Sequence, residues 1–144
     1  MQWSGGRNLG FSEAPEQKLY LPVDPSHDAP TVEAQEKNPD SLLNRTRALI
    51  KLVQSEPALA AYAEFVPLYA RENTYPFVYA RAKDKNVVLV ILNPSGREAK
   101  AEFSVNIPET HPTLLAGKKV ELEWNNGSVT VTVPGQTYAI YRLG

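Results

Sequence analysis

The dipeptide Asn126-Gly127 stands between two segments of alternating polarity, Lys119–Trp124 and Ser128–Val133. Asn-Gly suits a two-residue type I′ turn, which needs positive φ at both central positions. The turn sets a register with Trp124 opposite Val129, Leu122 opposite Val131 and Val120 opposite Val133. These six side chains then share one face, while Glu121, Glu123, Thr130 and Thr132 share the other. A hairpin with one dry face is not stable alone, so the chain must supply a second layer to cover it.

The same pattern runs from Glu64 to the end of the chain. Further strands are predicted at Glu64–Ala70, Pro76–Ala82, Asn86–Leu92, Glu98–Val105 and Thr137–Leu143. Asn93-Pro94-Ser95-Gly96 and Pro134-Gly135 carry turn chemistry between them. Val87 to Leu92 is an unbroken aliphatic run, which predicts a central strand covered on both faces. About seven short strands with frequent turns predict a mainly β fold, a small antiparallel β-sandwich over residues 61–144.

Residues 1–60 read differently. Pro15, Pro22, Pro25, Pro30 and Pro39 exclude a long helix or central strand from the first forty residues. Seven acidic and three basic side chains make that segment polar. Yet Leu9, Phe11, Leu19, Tyr20, Leu21 and Val23 are too apolar for a linker, so the segment is expected to line a larger surface. Asn38-Pro39-Asp40 reads as a helix start, with Asn38 as N-cap and Pro39 at the first helical position. Leu42, Leu43, Leu49, Ile50 and Val53 then fall on one face of a 3.6-residue period. Pro57 ends this helix or opens a short second one, Pro57 to Ala63. The expected order is a long loop and one amphipathic helix (1–60), followed by the sandwich (61–144).

Composition removes several functions. The formal net charge is −1, which gives no electrostatic case for nucleic acid or an anionic membrane. The chain has no cysteine, so disulfides, thiolate metal sites and a cysteine nucleophile are excluded. No apolar run approaches the length of a membrane span, and Met1–Gly6 lacks the apolar stretch of a signal peptide.

Candidate chemistry is sparse. His27 and His111 have no second histidine at helical spacing, and a cation site from Asp24, His27 and Asp28 is weaker than a solvated loop. No G-x-S-x-G elbow marks a serine nucleophile. Glu33 with Glu36, or Asp24 with Asp28, could form a carboxylate pair for glycoside hydrolysis. A general acid needs a raised pKa, and these four sit in an acidic, Pro-rich segment. Gly5-Gly6 is followed by Arg7-Asn8 and makes no phosphate loop. Asn44-Arg45-Thr46 and Asn126-Gly127-Ser128 match glycosylation acceptors, one on a helix and one in a tight turn. Tyr62, Phe65, Tyr69, Tyr75, Phe77, Tyr79, Trp124, Tyr138 and Tyr141 are either core or, if exposed and coplanar, a sugar-binding platform.

One ordered series of motifs accounts for the unusual first segment. Met1-Gln2-Trp3 precedes Gly10-Phe11-Ser12, then Tyr20-Leu21-Pro22-Val23, Val32-x-x-Gln35 and Asn38-Pro39-Asp40-Ser41-Leu42-Leu43-Asn44. Arg47-Ala48-Leu49-Ile50-Lys51-Leu52 and Glu56-Pro57-Ala58-Leu59 close the run. This order resembles the C-terminal region of the α-amylase family of glycoside hydrolases, in its α-glucosidase, oligo-1,6-glucosidase and trehalose synthase branch. The resemblance covers residues 1–59 in motif and 60–144 in kind, as the small β domain that follows the barrel.

It implies that residues 1–37 are the last long barrel loop and that the helix after Pro39 is the final barrel helix. The family's catalytic carboxylates lie upstream of the M-Q-W loop. Ser26-His27-Asp28 lacks the Asn of the family's N-H-D motif and lies on the wrong side of M-Q-W. The resemblance therefore assigns no catalytic residue, metal ligand or cofactor to this chain. Gln2 and Trp3 match loop residues near the rim of the parent active site. The expected partners are a catalytic barrel, α-glucosides by way of that barrel, and, for the chain by itself, a second copy covering the Leu42–Val53 stripe. The alternative role is a carbohydrate-binding sandwich.

Overall fold

The alternation read from the sequence is realised in two antiparallel sheets, seen in a computed structural model that describes residues 1–105 and 111–144. Among the described residues the strands are β1 Glu64–Tyr69, β2 Phe77–Lys83, β3 Asn86–Asn93, β4 Ala99–Ser104, β5 Thr113–Gly117, β6 Glu121–Asn125, β7 Ser128–Val133 and β8 Thr137–Leu143. One sheet has the order β1-β2-β3-β8-β5, and the other β4-β7-β6. The contacts fall into two compact units, Met1–Lys51 and Leu52–Gly144, and both sheets lie in the second.

The core between the sheets follows from pleat and register. β2 and β3 place Val78 opposite Ile91 and Ala80 opposite Leu89, and β8 adds Tyr141 beside Leu89 and Ala139 beside Ile91. The facing sheet contributes Ala101, Phe103, Val129, Val131 and Val133. Leu89, Ile91, Val129, Val131 and Val133 have almost no accessible surface. As expected for a central strand, β3 is covered on both sides. Leu89 and Ile91 face the other sheet, while Val88 and Val90 belong to a smaller apolar cluster with Ala58 and Leu59 on the outer face.

The hairpin has the predicted turn. Asn126 (φ 48°) and Gly127 (φ 84°) are both left-handed, and Trp124 pairs with Val129 and Leu122 with Val131. Val120 lies just outside β6, so the expected pairing with Val133 is not formed. It is buried instead, its N–H donating to the Tyr141 hydroxyl at 2.9 Å.

Eight strands form among the described residues, one more than the seven segments named from the sequence. The addition is β5, Thr113-Leu114-Leu115-Ala116-Gly117, whose Leu-Leu-Ala centre favours helix on local propensity. Pairing with β8 overrides that preference. Gly117 ends the strand at φ 88°, where a Cβ would strike the Tyr138 carbonyl.

The N-terminal unit also corrects the sequence reading. Residues 1–37 are not all loop: a left-handed turn occupies Arg7–Gly10, a 3₁₀ turn Glu16–Lys18, and a helix α1 spans Val32–Lys37. Thr31 caps α1, its hydroxyl accepting from the Ala34 N–H at 3.2 Å. Helix α2 spans Leu42–Ser55 and starts after Ser41, not at Pro39. Asn38 ends α1, and its Oδ1 accepts from the Asp40 N–H at 2.9 Å, forming an Asx turn that holds Pro39 outside the helix. Ser41 takes the cap, its Oγ accepting from the Asn44 N–H at 3.2 Å. Over Pro57–Ala63, a short 3₁₀ turn at Pro57–Leu59 takes the place of the second helix considered there.

Candidate functional site

Gln2 and Trp3 are held by main-chain bonds within the N-terminal unit. The Trp3 N–H donates to the Leu9 carbonyl at 2.7 Å, and the Gln2 and Trp3 carbonyls accept from Val32 and Glu33 at 3.0 and 2.9 Å. Gln2 lines a shallow cleft of about 360 Å³, with Phe11, Tyr20, Leu21 and Asp24 on its walls. Trp3 is half-exposed and does not line it.

Asp24 supplies the carboxylate of this cleft. Hydrogen bonds from the side chain and backbone of Ser26 hold its carboxyl below the usual aspartate value. It stays anionic at neutral pH, able to accept from a hydroxyl and unsuited to act as a general acid. Glu33, hydrogen-bonded and ion-paired to Lys37 at 2.7 Å, is likewise lowered. Glu36 meets Arg47 at 3.0 Å. His27 and Asp28 are exposed and outside the cleft. Among the described residues, no three His, Asp or Glu side chains gather where they could hold a metal ion.

The motifs that carry the resemblance converge on one corner of this unit. The Asn44 side-chain amide donates to the carbonyls of Gln35 and Asn38, both at 2.9 Å. Ser41 Oγ donates to the Gln35 carbonyl at 2.6 Å, and Gln35 Oε1 accepts from the Leu43 N–H at 3.1 Å. Gln35, Asn38, Ser41 and Asn44 thus lock α1 to the start of α2. The Asn44 acceptor sequence is occupied by structure. Of the α2 stripe, Leu42 is 77% exposed, Ile50 52% and Val53 50%, while Leu43 and Leu49 are partly covered.

In the C-terminal unit a groove of about 800 Å³ follows β6, lined by His111, Lys119, Leu122, Glu123 and Trp124. Trp124 is partly covered, and its Nε1 is buried without a hydrogen-bond partner among the described residues. The other aromatics do not form a flat platform. Phe65 and Tyr79 meet at 5.0 Å with planes 41° apart, and Phe77 and Tyr79 at 5.3 Å and 37°. Tyr141 is core, Tyr69, Phe77, Tyr79 and Tyr138 are half-buried, and only Tyr62, Phe65 and Tyr75 are well exposed. Tilted, partly covered rings suit packing better than stacking on a sugar.

Sequence reasoning missed Glu56. Its side chain is 1% exposed, and Oε2 accepts from Arg142 Nη2 at 2.6 Å and Nε at 3.0 Å. Arg81 Nη2 donates to the Ala60 carbonyl at 2.7 Å. Glu56 and Arg142 are separated by 86 positions, and no local pattern couples them.

No protein-family model matches the chain. It is 30% identical to a probable oligo-1,6-glucosidase 2 of Bacillus subtilis (strain 168) over 119 residues, covering 80% of this chain and 20% of that protein. It is 45% identical to a trehalose synthase/amylase of Mycobacterium tuberculosis over 69 residues, 44% of this chain and 11% of the other. In structure it superposes on isomaltulose synthase from Klebsiella sp. LX3 with a TM-score of 0.74 at 21% identity, covering 99% of this chain and 24% of that one. The chain spans about a fifth or less of the curated relatives it matches, aligned to their C-terminal part.

Proposed function

We propose that this chain, which belongs to the α-amylase family of glycoside hydrolases and corresponds to the C-terminal part of its much longer members, carries no catalytic group and braces the barrel that does. One observation carries this reading. Leu42 and Ile50 of the α2 stripe are exposed and lie in a unit that buries no apolar side chain among the described residues, so this apolar surface calls for a cover from outside. The Gln2–Asp24 cleft supplies a hydrogen-bonding amide and an anionic acceptor, the equipment of a substrate rim and not of a bond-breaking centre.

The test is direct. The purified chain should not cleave maltose, isomaltose, sucrose or a nitrophenyl α-glucoside. Turnover above a blank, abolished by a substitution within these residues, would overturn the reading. Without a barrel the α2 stripe turns to a second copy, since each large aliphatic side chain left in water forgoes about 1.5–3 kcal/mol. The chain should therefore self-associate at micromolar concentration, and Leu49→Lys should weaken the assembly without unfolding the sandwich. Light scattering that reports a 16.0 kDa monomer at high concentration would contradict this.

A further inference from the structure

Among the described residues the two sheets present four edge strands, β1 and β5 on one sheet and β4 and β6 on the other. A regular, open edge offers its main chain to another strand, and folded proteins commonly guard against that. Three of these edges are guarded. β1 carries Pro67, which has no N–H to donate, and its register breaks between Pro67 and Tyr69. β5 breaks register between Leu114 and Ala116 and stops at the left-handed Gly117. β4 lies against β1 of the facing sheet.

β6 differs. Its pairing with β7 is unbroken from Glu121 to Asn125. The ladder also fixes which main-chain groups face outward. The Val105 N–H donates to the Gly127 carbonyl at 2.9 Å, so the alternation turns the main chain of Val129 and Val131 toward β4. Their partners on β6, Trp124 and Leu122, therefore turn their N–H and C=O groups to the open side. Neither main chain meets a hydrogen-bond partner among the described residues. The groove of about 800 Å³ runs beside them, with the Leu122 and Trp124 side chains in its wall. On the outward face stand Glu121 and Glu123, exposed and outside every ion pair among the described residues.

We propose that β6 is an acceptor edge for an extended polypeptide strand in which Lys or Arg alternates with apolar residues. The strand lies antiparallel, like every other pairing in the sandwich, and bonds the main chain of Leu122 and Trp124. Its apolar side chains enter the groove beside Leu122 and Trp124, and its basic side chains stand beside Glu121 and Glu123. Charge selects this occupant over a second copy, because the register that pairs the full length of β6 with itself sets Glu123 against Glu123. This edge lies apart from α2, so the proposal does not depend on the bracing role.

The test titrates the full chain, followed by amide NMR, with a short synthetic peptide that alternates lysine and valine. Binding should shift the Leu122 and Trp124 amides and slow their exchange with solvent, while the β1 and β5 amides stay unmoved. A peptide alternating glutamate and valine should bind about tenfold more weakly, the scale of cross-strand charge pairs turned from attraction to repulsion. Glu121→Lys with Glu123→Lys, at exposed positions that leave the core untouched, should reverse that order. In the antiparallel arrangement the valines face Leu122 and Trp124, so methylating the valine main-chain nitrogens should abolish binding, and methylating the lysine nitrogens should not. Equal affinity for the two peptides, or binding that survives methylation of the valines, would overturn the proposal, as would no binding of the lysine peptide at millimolar concentration. Shifts at Leu122 and Trp124 that grow with protein concentration, without peptide, would assign the edge to a second copy and overturn it as well.

Discussion

Every buried apolar residue among those described lies in Leu52–Gly144, whereas the buried residues of Met1–Lys51 are Thr31 and Ser41, both helix caps. One unit is held by a dry core between two sheets, the other by hydrogen bonds at a helical corner. The difference separates two ways of being ordered. A core is self-sufficient, because burying aliphatic area offsets chain entropy wherever the unit is placed. A polar corner fixes local geometry but gains little net free energy per bond, so its stability depends on what covers its apolar side.

The sharpest contrast comes from truncating aliphatics in each unit. Leu89→Ala or Ile91→Ala, both fully buried, should cost about 2–5 kcal/mol in urea unfolding. Ile50→Ala, at a half-exposed position, should stay within about 0.5 kcal/mol. Equal costs would mean that the N-terminal unit has a core of its own.

Asn93 ties the two sheets together. Fully buried, it donates to the carbonyls of Val133 and Pro134 at 3.0 Å and accepts from Ser95. Asn93→Leu should destabilise by about 1–3 kcal/mol for a carbonyl left dry. A similar loss, about 1–3 kcal/mol, is expected for Gly127→Val. There the left-handed backbone is the whole cost, because a Cβ would meet only the Val105 carbonyl at 3.8 Å. A neutral Gly127→Val would show that the turn relaxes.

How far the sequence revealed these features depended on their range. The hairpin was legible because turn chemistry and alternation act within ten residues and agree. The double burial of β3 was legible from an uninterrupted aliphatic run. β5 was not, because its leucines favour helix until β8 lies alongside. The start of α2 shifted because Asn38 spends its side chain on an Asx turn and Ser41 competes for the cap. In the candidate cleft, the motif points to Gln2 and Trp3 together, and only Gln2 lines the cleft. The Asp24 contribution came from a turn with Ser26, and the Glu56–Arg142 pair from a tertiary contact invisible to periodicity.

The smallest expected effect concerns pH in the polar corner. The Glu33 carboxyl is lowered below 4.5 by Lys37, so the pair supports α1 fully above the unfolded value and loses that support as pH falls through the folded one. Carbonyl shifts of residues 32–37 should therefore lose helical character on acidification, and Lys37→Met should move the Glu33 titration upward. An unchanged titration would remove the pair from the account.

The claim that the sandwich stands alone while residues 1–51 await an outside cover is tested most directly by amide hydrogen exchange on the isolated chain at low concentration, where self-association is minimal. The account predicts that β2, β3, β7 and β8 exchange only through global unfolding, while α1, the first turns of α2 and the Trp3 amide exchange orders of magnitude faster. Protection in residues 1–51 equal to that of β3, in a chain that remains monomeric, would contradict it.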